Sequence, residues 1–279
     1  MVATARKRRL KNWIGLLLTP LVLFMFLRWF EHSQVYQPYR KLDTSPAQLQ
    51  SPFEDIHFLT SDQEKLHAWF FPGETNSAHA RLVFLICHGN GGNISHRLDL
   101  YGTLLKTGAA VFAFDYRGYG QSSGRPGEEG TYLDAQAAHR WLRERGFLPE
   151  NIIAYGESLG GGVASELALR EKIGGLVLHS AFTSTPDIGA ELFPWLPVRW
   201  LSHIKYDVHR KLSGVHVPVL ILHGRHDSLV RFHHAQENFA AANEPKILVE
   251  ISGDHNDGVV DPSQFAAALN QLLAKISPQ

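Results

Sequence analysis

The chain has 279 residues, 44% of them hydrophobic, which suits one large α/β domain with a short appendage. Its formal net charge is zero, so it lacks the basic footprint of a nucleic-acid binder, and none is expected as a partner. The single cysteine, Cys87, excludes an internal disulfide. No Cys/His spacing reads as a zinc site, and the adjacent His233 and His234 are expected to point apart. No metal or organic cofactor is implied.

The N-terminus departs from this average. Arg6-Lys7-Arg8-Arg9 and Lys11 make residues 1–11 a basic flank, followed by an uncharged, mostly apolar run from Asn12 to Leu27. At 1.5 Å per residue, roughly 18 helical residues span about 27 Å, just enough for a thin bilayer. Trp13 and Trp29 suit the two interfaces, and Arg28 can snorkel. A cleavable signal peptide is the rival, but Arg28-Trp29-Phe30-Glu31-His32 offers no small-x-small cleavage site. The expectation is an uncleaved signal anchor over 12–30. Its basic flank stays in the cytoplasm and the remaining chain lies on the non-cytoplasmic side of the membrane.

Residues 31–50, with Pro38 and Pro46, read as a polar linker, and the domain proper as 51–279. Residues 55–60 and 65–71 alternate as strands around the turn Ser61-Asp62-Gln63-Glu64. An apolar strand at 82–87 runs into His88-Gly89-Asn90-Gly91-Gly92-Asn93. A helix over about 95–107 and a strand at 110–114 follow. Asp115 and Arg117 come next and read as a structural ion pair or turn cap rather than as catalytic groups. Then come a helix over about 131–145, a strand at 151–155, a helix at 158–170 and a strand at 175–179.

Residues 181–207 break the alternation. They carry Phe182, Phe193, Trp195 and Trp200 among several prolines and form a short cap. Those aromatics either wall an apolar acyl pocket, rest on a bilayer, or simply pack on the core. Ser180 and Ser184 read as ordinary loop serines. After a helix at 207–212, a strand at 218–223, a helix over about 231–242, a strand at 246–251 and a helix over about 262–275 complete the chain. Repeated strand-helix alternation implies an α/β fold with a mostly parallel sheet covered on both faces.

Three segments carry chemistry. Gly156-Glu157-Ser158-Leu159-Gly160 is a G-x-S-x-G motif between a strand and a helix of small residues. There a serine is held exposed on a sharp turn above a helix N-terminus, so Ser158 is the candidate nucleophile. Asp227 lies just past the strand at 218–223, where a carboxylate can fix an imidazole tautomer. His255 lies in the loop after the strand at 246–251, where it can face both groups and act as base. Asp254 and Asp257 are rivals for the acid, but as neighbours of His255 they are expected to shape its loop. The glycine-rich loop after residue 87 is suited to donate to an oxyanion. The expected donors are the N–H groups of Leu159 and Asn90, with Gly89 as the alternative to Asn90. A phosphate loop is the competing reading, but the chain contains neither G-x-x-x-x-G-K-[ST] nor G-x-G-x-x-G.

Together His88–Asn93, Phe114–Gly124, Gly156–Gly161 and His255-Asn256-Asp257 resemble the membrane-anchored abhydrolase-domain proteins. That group is similar to the prolyl-oligopeptidase-like and serine-aminopeptidase-like branch of the α/β-hydrolases. The resemblance covers about residues 50–279. It implies the α/β-hydrolase fold, Ser158, Asp227 and His255 as the triad, and Asn90 and Leu159 as oxyanion donors. It is poorly specific for substrate, since the group includes lipid esterases, protein depalmitoylases and uncharacterised bacterial members. Gly91 departs from the alanine common in that group.

The expected activity is cleavage of an ester, thioester or amide through an acyl-enzyme, on a small-molecule or acylated substrate. The anchor and the aromatic cap favour a lipid-like one. A serine peptidase of the aminopeptidase type is the alternative within enzymes, and it needs an acidic site for a free amine. A non-catalytic binding module on the same fold is the alternative outside them, although a binder has no need of all three triad residues.

Overall fold

The structure, a computed structural model, describes residues 2–276, with side chains described from residue 19 onward. It opens with helix α1 (Val2–Val35) and the short strand β1 (Gln37–Pro38), followed by a 3-10 turn at Pro46–Leu49. Strands β2 (Glu54–Leu59), β3 (Lys65–Phe71) and β4 (Val83–Cys87) lead to the two-residue strand β5 (Gly91–Gly92). Helix α2 (Leu98–Leu105), strand β6 (Ala110–Phe114), helix α3 (Glu128–Glu144) and strand β7 (Ile152–Glu157) come next. They precede helix α4 (Leu159–Arg170), strand β8 (Gly175–His179), and helices α5 (Thr185–Leu192), α6 (Val198–Leu201) and α7 (Val208–Leu212). Strand β9 (Val219–Gly224), helix α8 (His233–Ala241), strand β10 (Lys246–Ile251) and helix α9 (Pro262–Leu273) close the chain.

The main sheet has eight strands in the order β10-β9-β8-β7-β4-β6-β3-β2. All neighbours from β10 to β6 are parallel, while β2 and β3 add an antiparallel edge. The fold is therefore the α/β sheet expected from the alternation. Strands β4, β6, β8 and β9 are buried along their whole length, as parallel strands covered on both faces must be. The pleat then sorts alternate residues to opposite faces. Val83, Leu85, Ile152 and Ala154 join the core beneath α3, α4 and α7, while Phe84, Ile86, Ile153 and Tyr155 join the core beneath α2 and α9.

Strands expected at 110–114, 175–179 and 246–251 have those bounds. The helix expected over 131–145 starts earlier, at Glu128. Glu128 and Glu129 fill its first turn, where negative charge is favoured by the helix dipole. The helix expected over 95–107 is shortened by a 3-10 turn at Ile94–His96. Asn93 caps that turn by accepting from the Ser95 N–H.

The stretch expected to be a polar linker, 31–50, packs on the domain instead. Tyr36 is buried, and its hydroxyl meets that of Tyr206 at 3.0 Å. The Glu31 carboxylate accepts from Ser202 Oγ and from the N–H groups of His203 and Ile204, which ties the end of α1 to the cap. The polar residues that suggested solvation serve as partners for loop backbone. Among the described residues no helix is long and apolar enough to cross a membrane. The side chains of 12–18, the first half of the expected anchor, lie outside the described ones.

Candidate active site

The sharp turn between β7 and α4 is built from small residues. A Cβ on Gly160 would lie 1.9 Å from the Cys87 carbonyl oxygen, and one on Gly156 would lie 2.4 Å from the Gly160 carbonyl oxygen. Glycine is required at both, and the close approach lets Ser158 turn at φ 50 and ψ −115. That left-handed backbone is uncommon for a residue with a side chain and costs on the order of 1–3 kcal/mol. It is held by Ser158 N–H donating to the His179 carbonyl at 2.8 Å and by Gly161 N–H donating to the Ser158 carbonyl at 2.9 Å.

The structure brings the three candidate triad residues together. His255 Nε2 lies 3.0 Å from Ser158 Oγ, and His255 Nδ1 lies 2.8 Å from Asp227 Oδ2. The other Asp227 oxygen accepts from the N–H groups of Leu229 and Val230 at 3.0 and 2.7 Å. Burial opposes the charge on Asp227, but the His255 bond and the Val230 amide hold its carboxyl below the usual carboxylate range. A carboxylate bonded to Nδ1 leaves Nε2 free to accept the serine proton. Asp254 accepts from Ser228 N–H, Ser228 Oγ and His255 N–H, and Asp257 accepts from Asp254 N–H. Both shape the histidine loop, as expected from their position.

The glycine-rich loop lies beside this triad. Asn90, Gly89, Leu159, Ser158 and His255 all line one cavity of about 650 Å³, within the usual range for small-molecule sites. Leu159 is the first residue of α4, so its N–H has no partner within the helix. The loop is held from outside by the segment after α1. Strand β1 pairs in parallel with β5, Gln37 N–H donates to the Asn90 carbonyl, and Tyr39 N–H donates to the Gly92 carbonyl. The Tyr119 hydroxyl donates to the same Asn90 carbonyl at 2.9 Å. Asn93 Nδ2 donates back to the carbonyls of Tyr39 and Lys41.

Sequence reasoning missed two groups here. Glu157, the residue before Ser158, accepts from Arg97 Nε at 2.7 Å, and the same guanidinium donates to the carbonyls of Gly91 and Asn93. Burial opposes the Glu157 charge, and Arg97 overcomes it, so the carboxyl sits at about 2. An acid at the first variable position of G-x-S-x-G was visible, but nothing in the sequence marked Arg97 as its partner. The second is His179, which also lines the cavity and lies 2.8 Å from the Tyr155 hydroxyl through Nδ1. Burial pushes it down to about 4, so it is neutral near pH 7.

Other expectations resolve outside the site. Asp115 and Arg117 do not pair with each other. Asp115 is buried and accepts from Ile94 N–H, capping the turn after the glycine-rich loop. Arg117 pairs with Asp62 and Asp134 at 2.7 and 2.8 Å. Burial pushes the Cys87 thiol up, and it packs in the core. His233 and His234 do not point apart: their rings stack at 4.3 Å, and both approach Glu191, at 3.0 and 3.2 Å. Both rings turn toward Glu191 at the end of α5, which packs against the start of α8. His234 Nδ1 accepts from Thr183 N–H at 3.2 Å, which puts the ring proton on Nε2, facing Glu191. That nitrogen then offers no lone pair to a metal.

A family model described as alpha/beta hydrolase fold matches residues 83–205. The uncharacterized protein Rv2307c of Mycobacterium tuberculosis is 36% identical over 256 residues, 91% of this chain and 90% of that one. The alpha/beta hydrolase domain-containing protein WAV2 of Arabidopsis thaliana is 32% identical over 279 aligned residues, 90% of this chain and 89% of that one. Among solved structures, the Pyrococcus furiosus esterase Pf2001 superposes with a TM-score of 0.70 at 25% identity, covering 86% of this chain and 99% of that one.

The geometry around His255 generates a prediction. Asp227→Asn is expected to lower kcat by about 10⁴, because the amide favours the wrong imidazole tautomer. Asp254→Asn should cost far less, since that residue touches only backbone and Ser228. Steady-state hydrolysis of a chromogenic ester measures both, and a larger loss at Asp254 would reassign the acid.

Proposed function

Because the chain belongs to the α/β-hydrolase-fold family, we propose that it is a serine hydrolase acting on a carboxylic ester or thioester. The observation that carries this reading is the line of contacts from Ser158 Oγ through His255 to Asp227, at 3.0 and 2.8 Å. In the proposed reaction Ser158 Oγ bonds to the substrate carbonyl carbon while His255 Nε2 takes the hydroxyl proton. The oxyanion is met by the N–H groups of Asn90 and Leu159. Collapse breaks the bond to the leaving alcohol or thiol, and His255 returns the proton to it. Water then attacks the acyl-enzyme with His255 again as base, releasing the carboxylic acid and restoring the serine. Asp227 stays ionised throughout and stabilises the imidazolium.

An esterase reading is favoured over a peptidase because Glu157, the acid next to Ser158 in sequence, is already paired with Arg97 and so is not free for a substrate amine. The apolar cap and the esterase named among the structural relatives agree with it. Ser158→Ala is expected to lower kcat on p-nitrophenyl esters by about 10⁶ with the fold retained. Wild-type turnover in that variant, or faster cleavage of aminoacyl anilides than of esters by the wild type, would refute the esterase reading.

We also propose that the chain is held at a membrane through α1, with the hydrolase domain on the non-cytoplasmic side. Support comes from the basic flank, the apolar run and the exposure of Leu21, Val22, Leu23, Phe24, Met25 and Trp29 on that helix. The full-length protein should remain with membranes after a high-pH carbonate wash, and externally added protease should reach the domain in intact spheroplasts. Release by the wash, or protection of the domain until lysis, would contradict anchor or orientation respectively.

A further inference from the structure

The cavity at Ser158 does not end at the triad. Its far wall is formed by Val35 of α1 and by Thr185, Gly189 and Phe193 of the cap. The same four residues also line a second cavity, of about 310 Å³, between α1 and the cap. The two spaces are neighbours with a common lining, to which Gln34 also belongs. Leu27 and Phe30 of α1 face Val198 and Trp200 of the cap across the second one. Phe30 and Phe193 meet edge to face at 5.5 Å, and Phe193 belongs to both linings.

The lining of this second space is mostly apolar, and its two charged members, Arg28 and Glu31, pair with each other. Arg28 pairs with Glu31 at 3.2 Å, and Glu31 is saturated by Ser202, His203 and Ile204. Its uncharged polar members are few: Gln34, Thr185, whose hydroxyl has no partner among the described residues, and Ser202, which is held by Glu31. Two of its lining residues are themselves uncovered, Trp200 at 91% exposed and Phe24 of α1 at 54%. Uncovered apolar surface on a mostly apolar groove that shares its lining with the Ser158 cavity is suited to a hydrocarbon chain.

We infer that this groove is the acyl-chain subsite: it holds the hydrocarbon tail of a medium- or long-chain ester or thioester whose carbonyl lies at Ser158. The inference rests on the serine-hydrolase reading above. It makes α1 part of the substrate site, with Leu27 and Phe30 as specificity-determining residues alongside Val198 and Trp200. Hydrocarbon burial fixes the expected trend, since each methylene moved from water into the groove favours binding about fourfold.

The test uses the full-length protein and a series of p-nitrophenyl esters from acetate to octanoate, each kept below its micelle concentration. Wild-type kcat/KM should climb along the series, by at least about tenfold from butyrate to octanoate. Val198→Trp, which fills the groove, should remove most of that climb while leaving the acetate rate within about twofold, as expected of a residue remote from the reacting atoms. Trp200→Ala alters an exposed side chain and carries little folding risk. It should lower the octanoate rate severalfold and spare acetate.

A flat series in the wild type, with acetate cleaved in a Ser158-dependent manner, would overturn the subsite and leave the hydrolase reading standing. A series that climbs equally in wild type and Trp200→Ala would also overturn it. That is the result if a second copy of the chain, or the chain's own first residues, fills the groove. If the wild type cleaves no member of the series through Ser158, it is the hydrolase reading that fails.

Discussion

The site depends on one strained residue. Ser158 sits at φ 50, outside the regions open to most side chains, between a strand and a helix that approach within contact distance. That approach is possible only because Gly156 and Gly160 lack a Cβ where the Cys87 and Gly160 carbonyls lie. The result is a hydroxyl raised at the C-terminal edge of a buried parallel sheet. Beneath it a helix begins whose first N–H groups have no partner within the helix. Loops after β9 and β10 leave the same edge of the sheet, so Asp227 and His255 arrive there without further adjustment. Their strands are paired in register, Lys246 opposite Val219 through Ile251 opposite Gly224.

A second constraint acts on the loop facing the serine. A glycine-rich loop has little preference of its own, so something must hold it if its N–H groups are to be preorganised. Two devices do so from opposite sides. Arg97 joins two of its carbonyls to Glu157, the residue before Ser158. The segment leaving α1 adds strand β1 along its outer edge. The half-buried carboxylate of Glu157 keeps its charge because Arg97 offsets the cost of its desolvation. The N-terminal helix and the loop at the nucleophile are thereby parts of one framework, since Glu31 fastens the helix to the cap and Gln37 and Tyr39 fasten its sequel to the loop.

Much of this was legible in the sequence, for identifiable reasons. Parallel strands buried on both faces read as apolar runs, and Ile152-Ile153-Ala154-Tyr155 or Val219-Leu220-Ile221-Leu222 can be little else. The three candidate residues follow strand ends in a fixed order, so Ser158, Asp227 and His255 could be named together, and the structure places them within hydrogen-bonding reach. What was not legible rests on pairings between distant polar residues. Arg97 with Glu157, Glu31 with the cap, and β1 with β5 have no local periodicity. Residues 31–50 therefore looked solvated when they are docked. His233 and His234 were misjudged because side-chain direction at a helix start depends on what packs above it, here Glu191 of the cap.

The central claim is that Ser158 carries the acyl group in a covalent intermediate. Rapid mixing of the full-length protein with excess p-nitrophenyl ester tests it most directly, followed by acid quench and mass spectrometry of the peptide containing Ser158. The account predicts a burst of p-nitrophenol close to stoichiometric with the chain, and an acyl mass on Ser158 that disappears as substrate is exhausted. Ester turnover with no acyl mass on Ser158, or with the acyl group on another residue, would contradict it.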